Sequence, residues 1–270
     1  MVLKKVGRVE EATEVSSGIY LLRISCPLKE PYPGQFVMAQ PPGLEEIPLS
    51  IAGYSGGELK LIVAAVGETT RALCRMDVGD RLWVRGPLGR GFSYMSRKTA
   101  VAVAGGVGIA PLIYLVDVRK REGLKTKLVA GFKSRVGGKL IQLLEDLGDV
   151  VIATEDGSIG AKGDAVSVAS SMITRSSMVF ACGPEPMLRK VVDLCMSVGA
   201  AVECSLERYI KCGVGICGAC LIEGEEVSMR VCADGPVFDG ETIVKLSDFD
   251  KLALDRSGCK VPLHGGCPSG

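Results

Sequence analysis

Residues 99–116 decide how the fold is to be read, because they run TAVAVAGGVGIAPLIYLV without a single charged side chain. An uncharged stretch of this length could cross a membrane, but Gly105, Gly106, Gly108 and Pro111 interrupt its middle. Alternating Ala and Val, then a glycine-rich turn, then an apolar run, are typical of a buried strand followed by a helix. The stretch therefore predicts the first strand, turn and helix of an α/β unit.

The chain changes character on both sides of this stretch. Towards the C-terminus, strand and helix candidates alternate to about residue 203, which predicts βαβ units and a parallel sheet. Towards the N-terminus, short β segments broken by Gly and Pro indicate an antiparallel barrel or sandwich, and we expect the barrel. We therefore divide the chain into a β-barrel at 1–98, an α/β domain at 99–203, a small cysteine-rich module at 204–246 and a tail at 247–270.

Composition excludes several classes of partner. The 270 residues carry 32 Lys and Arg against 31 Asp and Glu, a net charge of +1. A near-neutral chain has no basic surface for nucleic acid or an anionic membrane, so we expect neither as a partner. The first residues lack the layout of a signal peptide, which favours a cytoplasmic protein. The 11 cysteines should then stay reduced, and such a chain more often binds a metal or cluster than forms disulfides.

Three cysteines lie in one glycine-rich loop, at Cys212, Cys217 and Cys220, and Cys232 follows after eleven residues. This is the C-x4-C-x2-C…C spacing of plant-type 2Fe-2S ferredoxins. Glycines between the cysteines can adopt positive φ and bring backbone N–H groups close to sulfur. A tetrahedral zinc site is the alternative, but zinc ribbons pair two C-x2-C units. We predict a 2Fe-2S cluster with these four ligands, and zinc stays open as the other interpretation.

Two turns in the α/β part each follow a strand and open a helix. The first contains Gly105, Gly106 and Gly108, and the second is Cys182-Gly183-Pro184. On one parallel sheet both would meet at the carboxyl edge, where helix N-termini favour a pyrophosphate. A tight turn without a ligand explains the first motif as well, because it is not the G-x-G-x-x-G fingerprint. Cys182 could lie against a nicotinamide, although a small buried thiol is the commoner role.

Taken together, these motifs resemble the ferredoxin–NADP reductase superfamily and, more closely, the iron–sulfur electron-transfer subunits of NAD-linked dihydroorotate dehydrogenase. The resemblance extends over nearly the whole chain, to about residue 245. It rests on residues 33–36, 47–51, 67–70, 79–80, 86–92, 105–111, 156–160, 182–184, 205–208, the cysteine loop and 230–238.

The resemblance implies FAD on the barrel, NAD or NADP on the α/β domain, and the cluster in the C-terminal module. The residues that it assigns to FAD are Pro48, Leu49, Ser50, Gly67, Thr69 and Thr70. Those that it assigns to the dinucleotide are Gly105, Gly106, Gly108, Gly183 and Pro184, with Cys182 at the nicotinamide. It also implies a partner, the FMN-containing catalytic subunit of dihydroorotate dehydrogenase, in a heterotetramer that serves pyrimidine biosynthesis. Electrons would pass from that FMN through the cluster and FAD to NAD.

One position departs from the family pattern. The flavin motif of the family reads Arg-Pro-x-Ser, with the Arg on an FAD phosphate, and Ile47 stands in the place of that Arg. A charge-assisted contact is thereby lost, so we expect either that Arg71 or Arg90 compensates or that the flavin is held loosely.

The tail and the functional class keep alternatives open. Cys259, His264 and Cys267 have no evident fourth ligand, so we expect a disordered or partner-facing tail more than a second metal site. A subunit of a sulfhydrogenase or of an NADPH–ferredoxin oxidoreductase is one other function. A zinc-binding, non-catalytic regulatory subunit that has lost FAD is another, and Ile47 favours it.

Overall fold

The N-terminal part forms a closed antiparallel barrel, as predicted. In the computed structural model, which describes residues 3–96, 98–255 and 259–262, the strands of the barrel are ordered β1-β2-β5-β4-β3-β6. They are β1 (Lys4–Ser16), β2 (Ile19–Ser25), β3 (Phe36–Gln40), β4 (Ile47–Ser55), β5 (Glu58–Ala64) and β6 (Arg81–Leu88), with the short helix α1 (Glu68–Cys74) between β5 and β6.

Alternating apolar side chains fill this barrel. Along β6, buried Leu82 and Val84 alternate with more exposed residues, as a strand with one face inward requires. They belong to one core with Leu22 of β2 and with Leu59 and Leu61 of β5, all of them fully buried. Because burying each such side chain contributes roughly 1.5–3 kcal/mol, this core holds the outer faces of the strands in fixed positions.

The next part is a seven-stranded sheet in the order β10-β9-β8-β7-β11-β12-β15. Its parallel strands are β7 (Ala100–Gly105), β8 (Thr126–Phe132), β9 (Val150–Thr154), β10 (Ala161–Lys162), β11 (Met178–Cys182) and β12 (Ala201–Ser205). The connecting helices are α2 (Ile109–Arg121), α3 (Gly138–Glu145), α4 (Ala165–Ala169) and α5 (Glu185–Val198). Strand β7 lies in the centre, and its Ala–Val run is buried on both faces, as in other parallel sheets.

The cysteine-rich module is inserted between two neighbouring strands of this sheet. The chain leaves the sheet at Ser205 of β12 and returns at Val237 of β15 (Val237–Asp239), which pairs antiparallel with β12. Between them lies the hairpin of β13 (Leu221–Glu223) and β14 (Ser228–Arg230). Helix α6 (Gly240–Lys245) and the paired strands β16 (Leu252–Leu254) and β17 (Lys260–Pro262) follow. The predicted fold class is confirmed, while the divisions at residues 98, 203 and 246 stay predictions.

Helix α2 joins the barrel to the sheet. The hydroxyl of Tyr114 is buried and donates a 2.9 Å hydrogen bond to the carbonyl of Pro31, in the loop before β3. The guanidinium of Arg119, also buried, donates to the carbonyl of Ser96 at 2.8 Å and to the hydroxyl of Thr126 at 2.7 Å. These bonds hold α2 against the barrel and against the segment that connects β6 to β7.

Residues 99–116 are thus a strand, a turn and the start of α2, as the sequence predicted. Within the part of the chain that the structure describes, no helix combines the length and the apolar character that crossing a membrane requires.

Candidate redox site

The two glycine turns of the α/β part lie side by side at the carboxyl edge of the sheet. Strands β7 and β11 are hydrogen-bonded neighbours, with Cys182 opposite Ala104, so both turns leave the sheet at the same level. A Cβ atom on Gly108 would lie 2.6 Å from the carbonyl carbon of Cys182, and one on Gly183 would lie 2.9 Å from the nitrogen of Gly105. Mutual contact of the turns therefore requires two of these glycines, independently of any ligand.

Gly106 has a different role in the first turn. Its φ is +56°, and a Cβ atom placed there would meet nothing within 4 Å. Glycine is the residue that takes this conformation without a steric penalty, so Gly106 bends the turn and leaves space open above it.

That space belongs to a cavity of about 520 Å³ between the turns and the ends of β8 and β9. A cavity of this size suits a small organic ligand. Lys133 and Lys190 supply positive charge to the wall, and Glu155 and Asp164 supply negative charge. The remaining wall residues are Gly105, Gly106, Gly131, Phe132, Ala165, Val166, Pro184, Pro186 and Met187. The cavity therefore brings together both predicted nucleotide turns and can hold a phosphorylated ligand.

A second cleft, of about 240 Å³, lies where the barrel, the first glycine turn and the cysteine module meet. From the predicted FAD residues it is lined by Pro48, Leu49, Ser50 and Thr70. The other lining residues are Phe36, Ile62, Ala64, Val107, Ala110, Ser205, Leu206, Glu207, Arg208, Ile210 and Pro236. A mostly apolar cleft of this kind accommodates a flat ring system between its walls.

The start of α1 lies beside this cleft. The hydroxyl oxygen of Thr70 accepts hydrogen bonds from the backbone nitrogen of Gly67 at 2.8 Å and of Val66 at 3.1 Å. Thr70 therefore shapes the turn as well as lining the cleft. Gly67 and Thr69 flank it in the chain but do not line the cleft themselves.

The two arginines expected to replace the family Arg at Ile47 occupy different places. Arg71 lies on α1, and its guanidinium donates a 2.9 Å hydrogen bond to the carbonyl of Val66, across the turn that precedes the helix. The backbone of Arg90 instead pairs with Gly235 and Pro236 of the cysteine module. Arg71 therefore lies at the helix start predicted to hold the phosphates, whereas Arg90 lies beside Pro236, a wall residue of the second cleft.

The cysteine loop directs backbone N–H groups at its own sulfurs. The nitrogens of Val214 and Ile216 donate to Cys212 Sγ at 3.5 and 3.4 Å, and the nitrogen of Gly215 donates to Cys232 Sγ at 3.1 Å. Gly213, Gly215 and Gly218 have φ of +69°, +77° and +72°, which bends the loop around the sulfurs.

Two of the thiols have strongly shifted pKa values. The backbone nitrogen of Cys232 also donates a hydrogen bond to Cys220 Sγ at 3.4 Å. Burial raises the pKa of Cys212, but the N–H groups of Cys217, Val214 and Ile216 outweigh it and bring that pKa to about 6. Burial, reinforced by the neighbouring Cys220, raises the pKa of Cys232 to about 12. Metal binding at Cys232 would therefore have to displace the proton of its thiol, as thiolate ligation generally does.

The donor set bears on the choice between an iron–sulfur cluster and zinc. The four cysteines have the spacing of a plant-type 2Fe-2S loop, and backbone N–H groups donate to the sulfurs of Cys212 and Cys232. Zinc ribbons instead pair two C-x2-C units. The donor set therefore fits a 2Fe-2S cluster better than zinc.

The cysteine loop follows the second cleft closely along the chain. We call this second cleft the flavin cleft, because four residues predicted to bind FAD line it. Ile210, which lines the cleft, lies only two residues before Cys212. Cys220 and Cys232 are buried, while Cys217 is exposed and the neighbouring Ile216 has 84% of its surface accessible. The start of the loop therefore follows directly from a wall of the cleft, and Cys217 lies at the molecular surface.

Sequence reasoning did not foresee a buried ion pair behind the cleft. Arg208 pairs with Glu185, the first residue of α5, and their side chains are only 2% and 6% exposed. Burial lowers the pKa of Arg208 to about 10, so its guanidinium remains charged at neutral pH. The resemblance included Arg208 in residues 205–208, but only the fold places it beside the second glycine turn.

Two other predicted residues are located as follows. Cys182 is buried at the end of β11, and burial raises the pKa of its thiol well above the usual value. Its placement at a nicotinamide stays a prediction. In the tail, Cys259 is exposed and its backbone nitrogen donates to the carboxylate of Asp255 at 3.0 Å. His264 and Cys267 lie outside the described residues.

Comparison with known proteins agrees with this geometry. Residues 207–244 match the family model of the iron–sulfur cluster binding domain of dihydroorotate dehydrogenase B. A probable dihydroorotate dehydrogenase B (NAD(+)) electron transfer subunit from Thermococcus kodakarensis is 38% identical over 242 residues, covering 90% of this chain and 99% of the relative. The Pyrococcus furiosus relative of the same description is 37% identical over 262 residues, covering 97% and 100%.

Solved structures show the same fold. The structure of an NADH-dependent reduced ferredoxin-NADP oxidoreductase matches with a TM-score of 0.77 and 27% identity, covering 89% of each chain. A ferredoxin NADP+ reductase from Neisseria gonorrhoeae matches with a TM-score of 0.61 at 16% identity, covering 73% of this chain and 92% of the other. The level and extent of identity to the curated relatives are decisive: the chain belongs to the family of dihydroorotate dehydrogenase B electron transfer subunits.

Proposed function

We propose that this chain passes electrons between the flavin of a partner dihydroorotate dehydrogenase and NAD, as a cytoplasmic oxidoreductase subunit of pyrimidine biosynthesis. The partner is the FMN-containing catalytic subunit, and the assembly is a heterotetramer. When bound, the cluster supplies a one-electron carrier, and FAD supplies the conversion between single electrons and a hydride. The residues of this chain bind, orient and shield these groups.

One observation carries the proposal. The flavin cleft and the cysteine loop share a continuous segment, in which Ile210 lines the cleft and Cys212 is the first thiol. Two residues of extended chain span at most about 7 Å. The same loop exposes Cys217 on its outer side. A one-electron carrier held there adjoins the flavin on one side and a docked partner on the other.

The cluster is held by Cys212, Cys217, Cys220 and Cys232. Backbone N–H groups that already donate to the sulfurs would stabilise the additional negative charge of a reduced cluster. Cys220 and Cys232 are buried, so water is excluded from two of the four ligands.

FAD is bound by the barrel, with its ring in the cleft beside Pro48, Leu49 and Ser50. The hydroxyl of Ser50 would hydrogen-bond a nitrogen or carbonyl of the ring. Thr69, Thr70 and Arg71 hold the phosphates at the start of α1, and Arg71 replaces the charge that Ile47 does not provide.

NAD is bound by the larger cavity, across the turns that contain Gly106 and Pro184. Lys133 and Lys190 neutralise its phosphates. The carboxylate of Glu155 on the same wall can accept hydrogen bonds from a ribose but would repel a 2′-phosphate, which favours NAD over NADP.

The proposal is tested on protein purified under nitrogen. Iron, acid-labile sulfide and flavin are quantified, and the visible spectrum is recorded before and after addition of NADH. We expect two irons and two sulfides per chain and bleaching of flavin bands by NADH. Colourless protein that contains zinc, or protein whose flavin is not reduced by NADH, would overturn the assignment.

A second candidate is a subunit of an NADPH–ferredoxin oxidoreductase, which the structural match at a TM-score of 0.77 favours. The partner separates the two functions, because the cofactors are shared. Co-expression with the catalytic subunit of dihydroorotate dehydrogenase should yield a complex that reduces NAD with dihydroorotate. A stable complex with a ferredoxin-dependent flavoprotein in its place would establish the second function.

A further inference from the structure

An arginine of the barrel contacts the cysteine loop, although no motif in the sequence pointed to it. Arg85 lies on β6, and its side chain is only 14% exposed. Its guanidinium donates two hydrogen bonds to the carboxylate of Glu46, at 2.7 Å through Nη2 and 3.3 Å through Nε. The Glu46 side chain is itself 18% exposed. This pair is therefore oriented and largely withdrawn from water, unlike an ordinary surface ion pair.

The same Nη2 also donates a 3.0 Å hydrogen bond to the backbone carbonyl of Cys212, 127 residues further along the chain. Next to this bond the loop lies flat on the barrel. A Cβ atom on Gly213 would lie 3.1 Å from Leu88 Cδ1 and 3.2 Å from Met38 Cγ. Met38 is the cross-strand partner of Arg85, so all three barrel residues belong to one patch of β3 and β6. The first thiol of the loop is thus anchored to the barrel wall.

Partial burial by itself raises the pKa of Glu46, but the hydrogen bonds and charge of Arg85 hold it below its usual value. Glu46 is therefore held in its charged form beside the guanidinium. Only the positive member contacts the cysteine loop.

We propose that Arg85 is a positioning residue for the cluster: it fixes the Cys212 segment against the barrel, and its charge, moderated by Glu46, favours the reduced state. This proposal rests on the proposed function, in which Cys212 is a cluster ligand. Reduction adds one negative charge at the cluster, and a cation held nearby in a poorly hydrated site stabilises that charge. Glu46 has the opposite effect, and it also keeps the guanidinium aimed at the carbonyl.

Two variants test the proposal, because they should shift the reduction potential of the cluster in opposite directions. Arg85→Met removes the cation while keeping a side chain of similar length. Glu46→Gln removes the compensating anion and leaves a hydrogen-bond acceptor for Arg85. Each is purified anaerobically, iron and sulfide are counted, and the cluster is titrated reductively with its EPR signal as the readout. Arg23→Met is the matched control, because Arg23 pairs with Glu11 and Glu58 on the barrel and has no contact with the cysteine loop among its hydrogen bonds.

We expect Arg85→Met to lower the ratio of reduced to oxidised cluster at a fixed potential by about tenfold, which is about 59 mV for a one-electron couple. We expect Glu46→Gln to change that ratio upward, and Arg23→Met to leave it unchanged. Arg85→Lys keeps the charge and should restore most of the ratio.

Two results would overturn the inference. Unchanged potentials in both variants would show that the charge does not act on the cluster. A downward change in both, or cluster loss in both, would show that the pair acts only on loop folding. If Arg85→Met loses its cluster, the reduction potentials of Glu46→Gln and Arg85→Lys still show whether positive charge at this position favours the reduced cluster. If wild-type protein holds no iron or sulfide, the proposed function itself fails, which distinguishes that failure from loss of this inference.

Discussion

Arg71 is the residue on which flavin affinity should depend most, because Ile47 stands where the family has a phosphate-binding Arg. It lies on α1 with its guanidinium over the turn at Val66, beside the flavin cleft. Arg75, at the other end of the same helix, is equally exposed. One charge-assisted hydrogen bond to phosphate is worth about 1.5–3 kcal/mol, roughly ten- to a hundredfold in the dissociation constant.

We therefore expect Arg71→Gln to weaken FAD binding by that factor, while Arg75→Gln leaves it unchanged. Ile47→Arg in the Arg71→Gln background should restore affinity, since it rebuilds the family contact. Titration of flavin-free protein with FAD, followed by flavin fluorescence, gives the dissociation constants. Equal affinities for Arg71→Gln and wild-type protein would place the compensating charge elsewhere.

The pair of Arg208 and Glu185 has its main effect on stability. Both side chains are almost fully buried, and the carboxylate of Glu185 also accepts a 2.7 Å hydrogen bond from the backbone nitrogen of Asp250. Removing one member of a buried pair leaves an uncompensated charge, which generally costs about 3–5 kcal/mol. We expect Glu185→Gln to lower the free energy of unfolding by this amount, measured by urea denaturation.

Glu58→Gln provides the comparison for that measurement. Glu58 pairs with Arg23 on the barrel surface, where the side chains are 28% and 43% exposed, and such pairs contribute about 0–1 kcal/mol. If Glu185→Gln lowered the free energy of unfolding no more than Glu58→Gln does, water or a rearrangement of the tail would have to stabilise the unpaired charge of Arg208.

At the scale of elements, the sequence predicted those whose signals are local. Strand β7, the glycine turn and α2 follow from a charge-free run, a glycine group and a renewed apolar run within 18 residues. The cysteine spacing is equally local, and it predicted a glycine-rich loop whose backbone N–H groups approach sulfur, as they do at Cys212 and Cys232.

Contacts between distant segments had no comparable signal. Strand β15 has only three residues and joins the sheet through its pairing with β12, in which Phe238 lies opposite Cys204, 34 positions earlier. The bond from Arg85 to Cys212 spans 127 residues, and Glu46 looks like an ordinary solvated residue in the sequence. No periodicity or motif encodes such pairings, because they arise only when the barrel and the cysteine module pack together.

The cysteine loop as an element depends on Gly213 in two ways. Its φ is +69°, and its missing side chain lets the loop lie on Met38 and Leu88. Gly18 has a matching φ of +68° in the β1–β2 turn, but a Cβ atom there would meet nothing within 4 Å. Alanine at either position pays the same conformational penalty of about 1–2 kcal/mol, and only Gly213 adds a steric conflict.

Gly213→Ala should therefore reduce the iron and sulfide content of purified protein and lower the free energy of unfolding by more than Gly18→Ala does. We expect an additional loss of about 1–3 kcal/mol for the overpacked position. Full iron content in Gly213→Ala, with a stability equal to that of Gly18→Ala, would show that Met38 and Leu88 can move aside without displacing the cysteines.

At the scale of the whole molecule, three binding regions share walls. The flavin cleft takes residues from the barrel, from the first glycine turn through Val107 and Ala110, and from the cysteine module through Ile210. The glycine turn also borders the nucleotide cavity. Under the proposed function, the nucleotide and the flavin would lie on either side of the first glycine turn, and the flavin would lie next to the cluster. Loss of the cluster should therefore stop electron transfer between the cluster and the flavin, but not between the nucleotide and the flavin.

Cys217→Ser tests that division, because Cys217 is exposed and its replacement leaves the core intact. We expect NADH to reduce the flavin of this variant, and a ferricyanide assay to retain most of its activity. Reduction of NAD by dihydroorotate through the partner subunit should fall by at least two orders of magnitude, by analogy with the loss of any obligatory carrier. Cys259→Ser, an exposed cysteine of the tail, is the matched control and should preserve both activities. If Cys217→Ser lost its iron yet still coupled dihydroorotate to NAD, electrons would have to reach the flavin directly, and the cysteine loop would have a structural role only.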